Sequence, residues 1–425
     1  MKNAILWTIS KKNASVKCSR VKLVRMNIYK TTEDIKNHRR IGIIGGAFNP
    51  IHYGHLAAAE GARCELGLDA VLFMPTSQAP HKAIETFKEH RYIMTLLACA
   101  ENDYFYTSRM EFERSGPSYT VDTLRTLQKE SKAELYFIVG ADEMMQITKW
   151  KEPAALMRLC SWAVLTRPGY DTSTLREHIA YLKENYGCQA ALIEMPGFDI
   201  SSTVLRERSK AGKSIKYMVP SAIERFIHEM KLYEASTAGF YDKIYAAVAD
   251  KLSEKRIQHT LGVIDVSLLL AALHGANFHK TYLAALLHDY AKEYNEEESR
   301  ALCRKFAIHL DKYQAENISL MHGHLSAELA RQEFDIKDAE ILNAIKYHTT
   351  GRAGMGLIEK IIKIADNSEA NRPDFPGKDI IKSLSLENAG KAAAASIRRD
   401  HIYTRERGRA IHPWGMEALH SLEGE

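Results

Sequence analysis

The order of apolar and polar positions divides the chain into two unlike parts. Short apolar runs recur at Ile41–Ile44, Ala70–Met74, Leu135–Val139, Trp162–Thr166 and Ala191–Met195. Each is of strand length and apolar throughout, as required of strands covered on both faces of a parallel sheet. Helix-like stretches such as Leu56–Leu66 and Thr120–Glu130 lie between them. This alternation predicts an α/β doubly wound, Rossmann-like domain with ligands at the carboxyl ends of its strands. Beyond about residue 235 the strand-like runs cease. Tyr241–Arg256, Thr260–Leu273, Thr281–Lys292, His324–Phe334, Ala339–Tyr347 and Leu357–Asp366 repeat instead with a helical period. An all-α second domain is therefore expected. The expected organisation is a basic leader over 1–40, an α/β domain over 41–236, a helical domain over 240–405 and a loosely held tail over 406–425, marked by Pro413 and Gly415.

Composition adds limits. The 425 residues suit two domains, and 45% hydrophobic with 26% charged residues excludes wholesale disorder. The formal charge of +5 is unevenly placed: residues 1–40 hold eleven Lys/Arg against two Asp/Glu, which leaves 47 against 51 in the remainder. A near-neutral body with no interleaved basic and aromatic patch argues against a nucleic-acid partner. The leader lacks the apolar core of a secretory signal and is Lys-rich rather than Arg-rich, so an upstream extension with Met26 as the start is expected. Six cysteines without a CxxC pair exclude a zinc ribbon or secreted disulfide framework and fit a reducing cytoplasm. No apolar run reaches the roughly 18 residues of a membrane helix, and Val266–Ala272 reads as a buried helix.

Candidate chemistry begins where the first strand ends, in Gly45-Gly46-Ala47-Phe48-Asn49-Pro50-Ile51-His52-Tyr53-Gly54-His55. The glycines let backbone approach a ligand, and the following helix points its first N–H groups at an anion. His52 and His55, three apart, share a face at that helix end. No P-loop pattern is present. About 150 residues on, Ile200-Ser201-Ser202-Thr203-Val204-Leu205-Arg206 combines cap residues with an arginine one turn later, a second anion site.

The first string resembles the GxFxPxHxGH signature of the nucleotidyltransferases related to class I aminoacyl-tRNA synthetases, and the second their ISSTxxR motif. Within that group, Pro80-His81-Lys82, Ser118-Tyr119-Thr120-Val121-Asp122-Thr123, Gly140-Ala141-Asp142 with Trp150, and Arg167-Pro168-Gly169 resemble nicotinate-nucleotide adenylyltransferase. Asn49 departs from it, since Asp is common there. The resemblance implies transfer of AMP from ATP to nicotinate mononucleotide with Mg²⁺ and release of pyrophosphate. It implies His52, His55 and Arg206 as catalytic residues. Gly45, Gly46, Phe48, Gly140, Asp142, Ser201, Ser202 and Thr203 would help to bind ATP and its phosphates. Lys82, Tyr119, Thr120, Trp150 and Arg167 would serve the mononucleotide.

The helical part presents a second series: His259, His288-Asp289, His322, His348 and Asp366. Nitrogen and oxygen donors of this kind favour Fe, Mn, Co or Zn. An adjacent His and Asp diverge by about 100° on a helix, so they share a centre only if it sits between them, which suits a carboxylate bridging two metals. Lys292 falls one turn after them and faces the same site. The series and its flanks resemble the HD-domain metallophosphohydrolases of the YqeK type. That resemblance implies a dinuclear transition-metal centre, Fe or Mn, and symmetric hydrolysis of diadenosine tetraphosphate to ADP, with Lys292 catalytic. His322-Gly323-His324 offers two ligands at one place, and the family pattern favours His322.

The leading expectation is thus a bifunctional cytoplasmic enzyme of NAD biosynthesis. Its partners would be ATP, nicotinate mononucleotide and dinucleoside polyphosphates, with no nucleic acid and no membrane; a homo-oligomer stays open. The alternatives keep the fold but change the acceptor to nicotinamide mononucleotide or pantetheine phosphate, or make the HD half a non-catalytic regulatory module.

Overall fold

The computed structural model describes residues 26–31, 33–79, 84–114, 116–197 and 199–424, without the side chains of Ser236 and Ile318. Six parallel strands form one sheet: β1 (Arg40–Gly46), β2 (Ala70–Pro75), β3 (Phe105–Thr107), β4 (Glu134–Gly140), β5 (Ser161–Thr166) and β6 (Ala190–Glu194), in the order β3-β2-β1-β4-β5-β6. Ile41 of β1 stands opposite both Ala70 and Leu135, so the chain turns outward in opposite directions from β1 and β4. Their carboxyl ends therefore frame the crevice in which doubly wound sheets bind ligands. All five expected runs are strands. The sixth, β3, is a three-residue edge strand, too short to register as a run.

Five helices of this half matter below: α1 (Tyr53–Leu66), α2 (Lys88–Cys99), α3 (Thr120–Glu130), α4 (Ser202–Lys210) and α5 (Ser221–Glu229). Among the described residues no strand follows β6. The second half is built on α6 (Phe240–Lys251), α7 (Glu254–His274), α8 (Phe278–Leu287), α9 (Ile318–Phe334), α10 (Ala339–Tyr347), α11 (Leu357–Ser368), α12 (Lys378–Ser385), α13 (Ala389–Glu406) and α14 (Pro413–Glu423).

Val266–Ala272 lies, as expected, in a buried helix: α7 runs unbroken through 21 residues, and although it is long and apolar enough to cross a membrane by length and composition, 61% of its most apolar window is buried inside the fold. Two expectations need correction. The tail expected over 406–425 contains α14, with Gly415, Ala418 and Leu422 buried. Pro413 opens that helix at its first turn, where a missing N–H costs nothing. The leader reading fails for its last part. Residues 1–25 lie outside the described residues, but Ile28 and Ile35 are buried. Tyr29 reaches across to the helical half, its hydroxyl 3.2 Å from Ser368 Oγ and 2.8 Å from Ser385 Oγ.

The two halves share one apolar core. Helix α2 packs on α7, and α5 on α8. Buried side chains from both, such as Ile93, Phe226, Leu268 and Tyr282, belong to one continuous cluster, while a second cluster covers the other face of the sheet. At the edge of that shared core, Arg109, its side chain 12% exposed, lies between Glu89 of α2 and Asp265 of α7, the latter at 2.6 Å, and the Tyr92 hydroxyl donates to Asp265 at 3.2 Å.

Candidate active sites

At the end of β1, Gly45 and Gly46 lead into the loop that starts α1. A Cβ on Gly46 would stand 3.2 Å from the Phe48 ring and press on it. His52 caps α1: its backbone N–H donates to His55 Nδ1 at 3.3 Å, and the two rings stack with centroids 3.7 Å apart. Burial lowers His52 to about 4 and His55 to about 3, so both imidazoles are neutral at pH 7. Each then keeps one N–H for an oxygen ligand. His52 Nδ1 is buried without a hydrogen bond among the described residues.

The second motif grips this loop from the other end of the half. Ser201 caps α4 by accepting from the Val204 N–H. Ser202 Oγ donates to the Pro50 carbonyl at 2.9 Å, while Arg206 donates to the Asn49 carbonyl at 2.7 Å and to Thr203 Oγ1 at 3.1 Å. Asn49 Oδ1 accepts from the Tyr233 hydroxyl at 3.0 Å.

A cavity of about 730 Å³ opens at the carboxyl ends of β1 and β4. Gly45, Gly46, His52, His55, Gly140 and Asp142 line it, and so do Tyr119, Thr120, Trp150 and Arg167. Trp150 stands edge-on to the core rings of Phe137 and Trp162 at 6.2 and 6.5 Å. Phe48, Ser201, Ser202, Thr203 and Arg206 do not line the cavity; they belong to or pack about the loop between its glycines and histidines. Lys82 lies outside the described residues. One residue that no sequence motif marks, Arg91, lies outside the cavity lining and donates to the backbone carbonyls of Ala47, Thr76 and Ser77.

The second constellation also comes together. His259 on α7, with His288 and Asp289, forms one group of donor atoms lying within 4.8 Å of each other; Asp289, His322 on α9 and His348 form another. Asp289 belongs to both. Asp366 of α11 joins the first group, its Oδ1 3.2 Å from His259 Nε2. The helical placement expected for the His-Asp pair is narrowed: α8 ends at Leu287, and His288, still helical in its backbone, caps it with Asp289 in the turn that follows, as His348 caps α10. His324 is elsewhere, stacked on Trp414 and 3.3 Å from Gln314, so His322 is the member of the pair at the centre.

Ring orientation is set from behind. Nδ1 of His288 and of His348 each bond a backbone carbonyl at 2.7 Å, Ala285 and Ile345, and His259 Nδ1 bonds Glu369 Oε1 at 3.0 Å. Such partners fix the tautomer and leave Nε2 for a ligand. Nε2 of His259 and His288 are buried without a hydrogen bond among the described residues, and Nε2 of His322 and His348 face each other at 3.0 Å. Converging nitrogens of this kind fit a cation, with His259 giving up its Nε2 proton on binding. Burial alone would raise Asp289, but Lys292 and the surrounding histidines outweigh it and hold the carboxyl well below its usual range; Asp366 is held likewise, with Arg372 and His259 outweighing burial. Burial lowers His288 to about 4 and His322 to about 3. His259 goes up to about 9, because Asp366 and Glu369 outweigh the burial that would lower it. Three cationic side chains ring the centre: Arg256 at 2.8 Å and Lys292 at 3.7 Å from Asp289, and Arg372 at 3.6 Å from Asp366.

The fold and its two sites define a class: an α/β nucleotidyltransferase joined to an HD domain whose His and Asp donors fit a divalent metal. Residues 43–208 match the cytidylyltransferase-like family and residues 256–371 the HD domain family. A Moorella thermoacetica protein described as a probable nicotinate-nucleotide adenylyltransferase is 45% identical over 208 residues, 48% of this chain and 96% of its own length. A Thermoanaerobacter protein of the same description is 42% identical over 199 residues, 46% of this chain and 94% of its own. A solved structure from Clostridium acetobutylicum, described as a predicted HD superfamily hydrolase involved in NAD metabolism, is 35% identical, covers 43% of this chain and 97% of its own, and gives a TM-score of 0.42. The chain belongs, through its first half, to the nicotinate-nucleotide adenylyltransferase family of NAD biosynthesis, and carries an HD domain behind it.

Proposed function

We propose that the half over 41–236 transfers AMP from ATP to nicotinate mononucleotide, and that the HD half over 240–405 cleaves diadenosine tetraphosphate with one water into two ADP. The observation that carries the first part is the union of both phosphate motifs around one loop beside a nucleotide-sized cavity. The mononucleotide phosphate attacks the α-phosphorus of ATP and pyrophosphate leaves, a reaction governed by alignment and charge neutralisation. In this reading neutral His52 and His55 donate to ATP oxygens, and Arg206 holds the loop while adding positive charge near the leaving pyrophosphate. Trp150 offers a ring face to the nicotinate, and Tyr119, Thr120 and Arg167 surround it. Mg²⁺ accompanies ATP.

The observation that carries the second part is Asp289, common to two groups of nitrogen and oxygen donors. Histidines 259, 288, 322 and 348 with Asp289 and Asp366 would hold two divalent ions, Fe or Mn. Such ions, when bound, supply a nucleophile from water at neutral pH and neutralise the phosphate under attack. Lys292, Arg256 and Arg372 then serve as counter-charges for a polyphosphate. The proposed place of action is the cytoplasm.

The test uses the full-length protein. Incubated with ATP, Mg²⁺ and each of nicotinate mononucleotide, nicotinamide mononucleotide and pantetheine phosphate, it should convert the first fastest to dinucleotide and pyrophosphate. Incubated with Mn²⁺ or Fe²⁺ and diadenosine tetraphosphate, it should yield ADP alone. AMP with ATP as products would reject the symmetric cleavage, and no turnover would reject the hydrolase assignment.

A further inference from the structure

Helix α2 carries an arginine that neither motif contains. Arg91 is 1% exposed, and among the described residues no carboxylate lies within ion-pair distance of it. Its guanidinium instead donates to four backbone carbonyls: Ala47 at 2.9 Å, Thr76 at 2.7 Å, Ser77 at 3.0 Å and, more loosely, Thr86 at 3.4 Å. Ala47 belongs to the phosphate loop after β1, and Thr76 and Ser77 to the segment after β2. Thr76 lines the cavity and donates its own N–H to the Gly46 carbonyl at 2.9 Å.

A buried charged group is retained only where its hydrogen bonds compensate its desolvation. A fold in search of stability alone would meet these carbonyls at less cost with a neutral donor. The planar fork of arginine does something a neutral group cannot, joining three separate segments at one rigid point. The phosphate loop is thus held at successive carbonyls by Arg91 at Ala47, Arg206 at Asn49 and Ser202 at Pro50. Arg206 and Ser202 hold it from the β6 side. Arg91 ties it to the β2 side.

We propose that Arg91 is a positioning residue for adenylyl transfer, fixing the phosphate loop against the segment after β2 so that the two reactants meet in line. This rests on the adenylyl-transfer reading of the site. A loop misplaced by about 1 Å costs on the order of 10²-fold in rate even when ground-state binding survives. Loss of the fork therefore shows in kcat before KM.

The experiment compares the full-length protein with Arg91→Met and Arg91→Lys, normalised to folded protein by circular dichroism. Arg91→Met should lower kcat about 100-fold with KM for ATP and mononucleotide within about threefold. Arg91→Lys, which keeps the charge but not the fork, should fall between. Diadenosine tetraphosphate hydrolysis by the same preparations should stay within about twofold of the parent. The proposal is overturned if either variant turns over within twofold of the parent per folded molecule and differs only in melting temperature. Should Arg91→Met fail to fold, Arg91→Lys decides on the same criterion. A parent protein that makes no dinucleotide would overturn the adenylyl-transfer reading itself, before Arg91 is at issue.

Discussion

Replacing Gly262 with alanine would act on the HD centre without touching a proposed ligand. Gly262 lies in the middle of α7, three residues after His259, and a Cβ there would stand 2.3 Å from Glu369 Oε2, 3.1 Å from its Cδ and 3.3 Å from its Cβ. Relief requires Glu369 to move, since its own Cβ is in the way as well as its tip. That carboxylate is 0% exposed, receives His259 Nδ1 on one oxygen at 3.0 Å and accepts from the Asn371 N–H on the other at 2.6 Å. Helix propensity favours the alanine by about 1 kcal/mol. Losing one hydrogen bond to a charged group costs about 1.5–3 kcal/mol, and forcing extra volume into a packed interior about 1–3 kcal/mol more. The balance is a net loss of about 1.5–5 kcal/mol. The sharper effect is on metal, because an imidazole deprived of its outer partner commonly loses 10–100-fold in metal affinity. Full-length Gly262→Ala should therefore bind Mn²⁺ at least tenfold more weakly in a chelator competition and melt several degrees lower. Affinity within twofold of the parent would refute the reasoning, most plainly if the melting temperature rose by the amount helix propensity alone supplies.

Other expectations follow from the same contacts. His55→Ala should reduce dinucleotide formation by more than about 10²-fold, as removal of a preorganised donor does, with unchanged diadenosine tetraphosphate hydrolysis and circular dichroism; near-normal turnover would sink the role given to that histidine. Arg109→Met strands Glu89 and Asp265 in the shared core, so urea unfolding should show a loss of about 3–5 kcal/mol, and an unchanged midpoint would refute the pairing. His90 is buried among Phe87, Phe226, Tyr241 and Tyr282, and burial lowers it to about 3. Its folded value lies below its unfolded one, so the unfolded chain binds the extra proton and stability falls as pH drops from about 6.5 toward 3, by about 1.4 kcal/mol per unit. His90→Phe should flatten that limb of a plot of urea midpoint against pH, and a slope equal to the parent's would show that this ring does not resist protonation.

Much of this was legible in the chain because local patterns carry it. Five strand runs stood out as continuous apolar segments, and the glycine-histidine loop and the spaced His and Asp residues announced themselves by order alone. What was not legible depends on partners far away in sequence. Arg109 meets Asp265 across 156 positions and Arg91 meets Ala47 across 44, and nothing next to either arginine marks the pairing. The short β3 falls below the length at which a run can be told from chance. Lys and Arg in the first forty residues masked Ile28, Tyr29 and Ile35, and Pro413 read as a breaker although it starts a helix. The periodicity continues past Leu287 and so predicts a helical His288-Asp289 pair, whereas α8 ends at Leu287 and a turn carries Asp289, which stands between two sets of histidines.

The bond from Tyr29 to Ser368 and Ser385 spans 339 and 356 positions. During synthesis, then, Tyr29 emerges from the ribosome well before the residues that receive it. The α/β half can gather its sheet as it is made, yet Tyr29 has no hydroxyl partner of this kind until α11 and α12 are released. The first-made side chain of this contact is thus among the last to find its partners, and a chain halted short of residue 368 would contain neither.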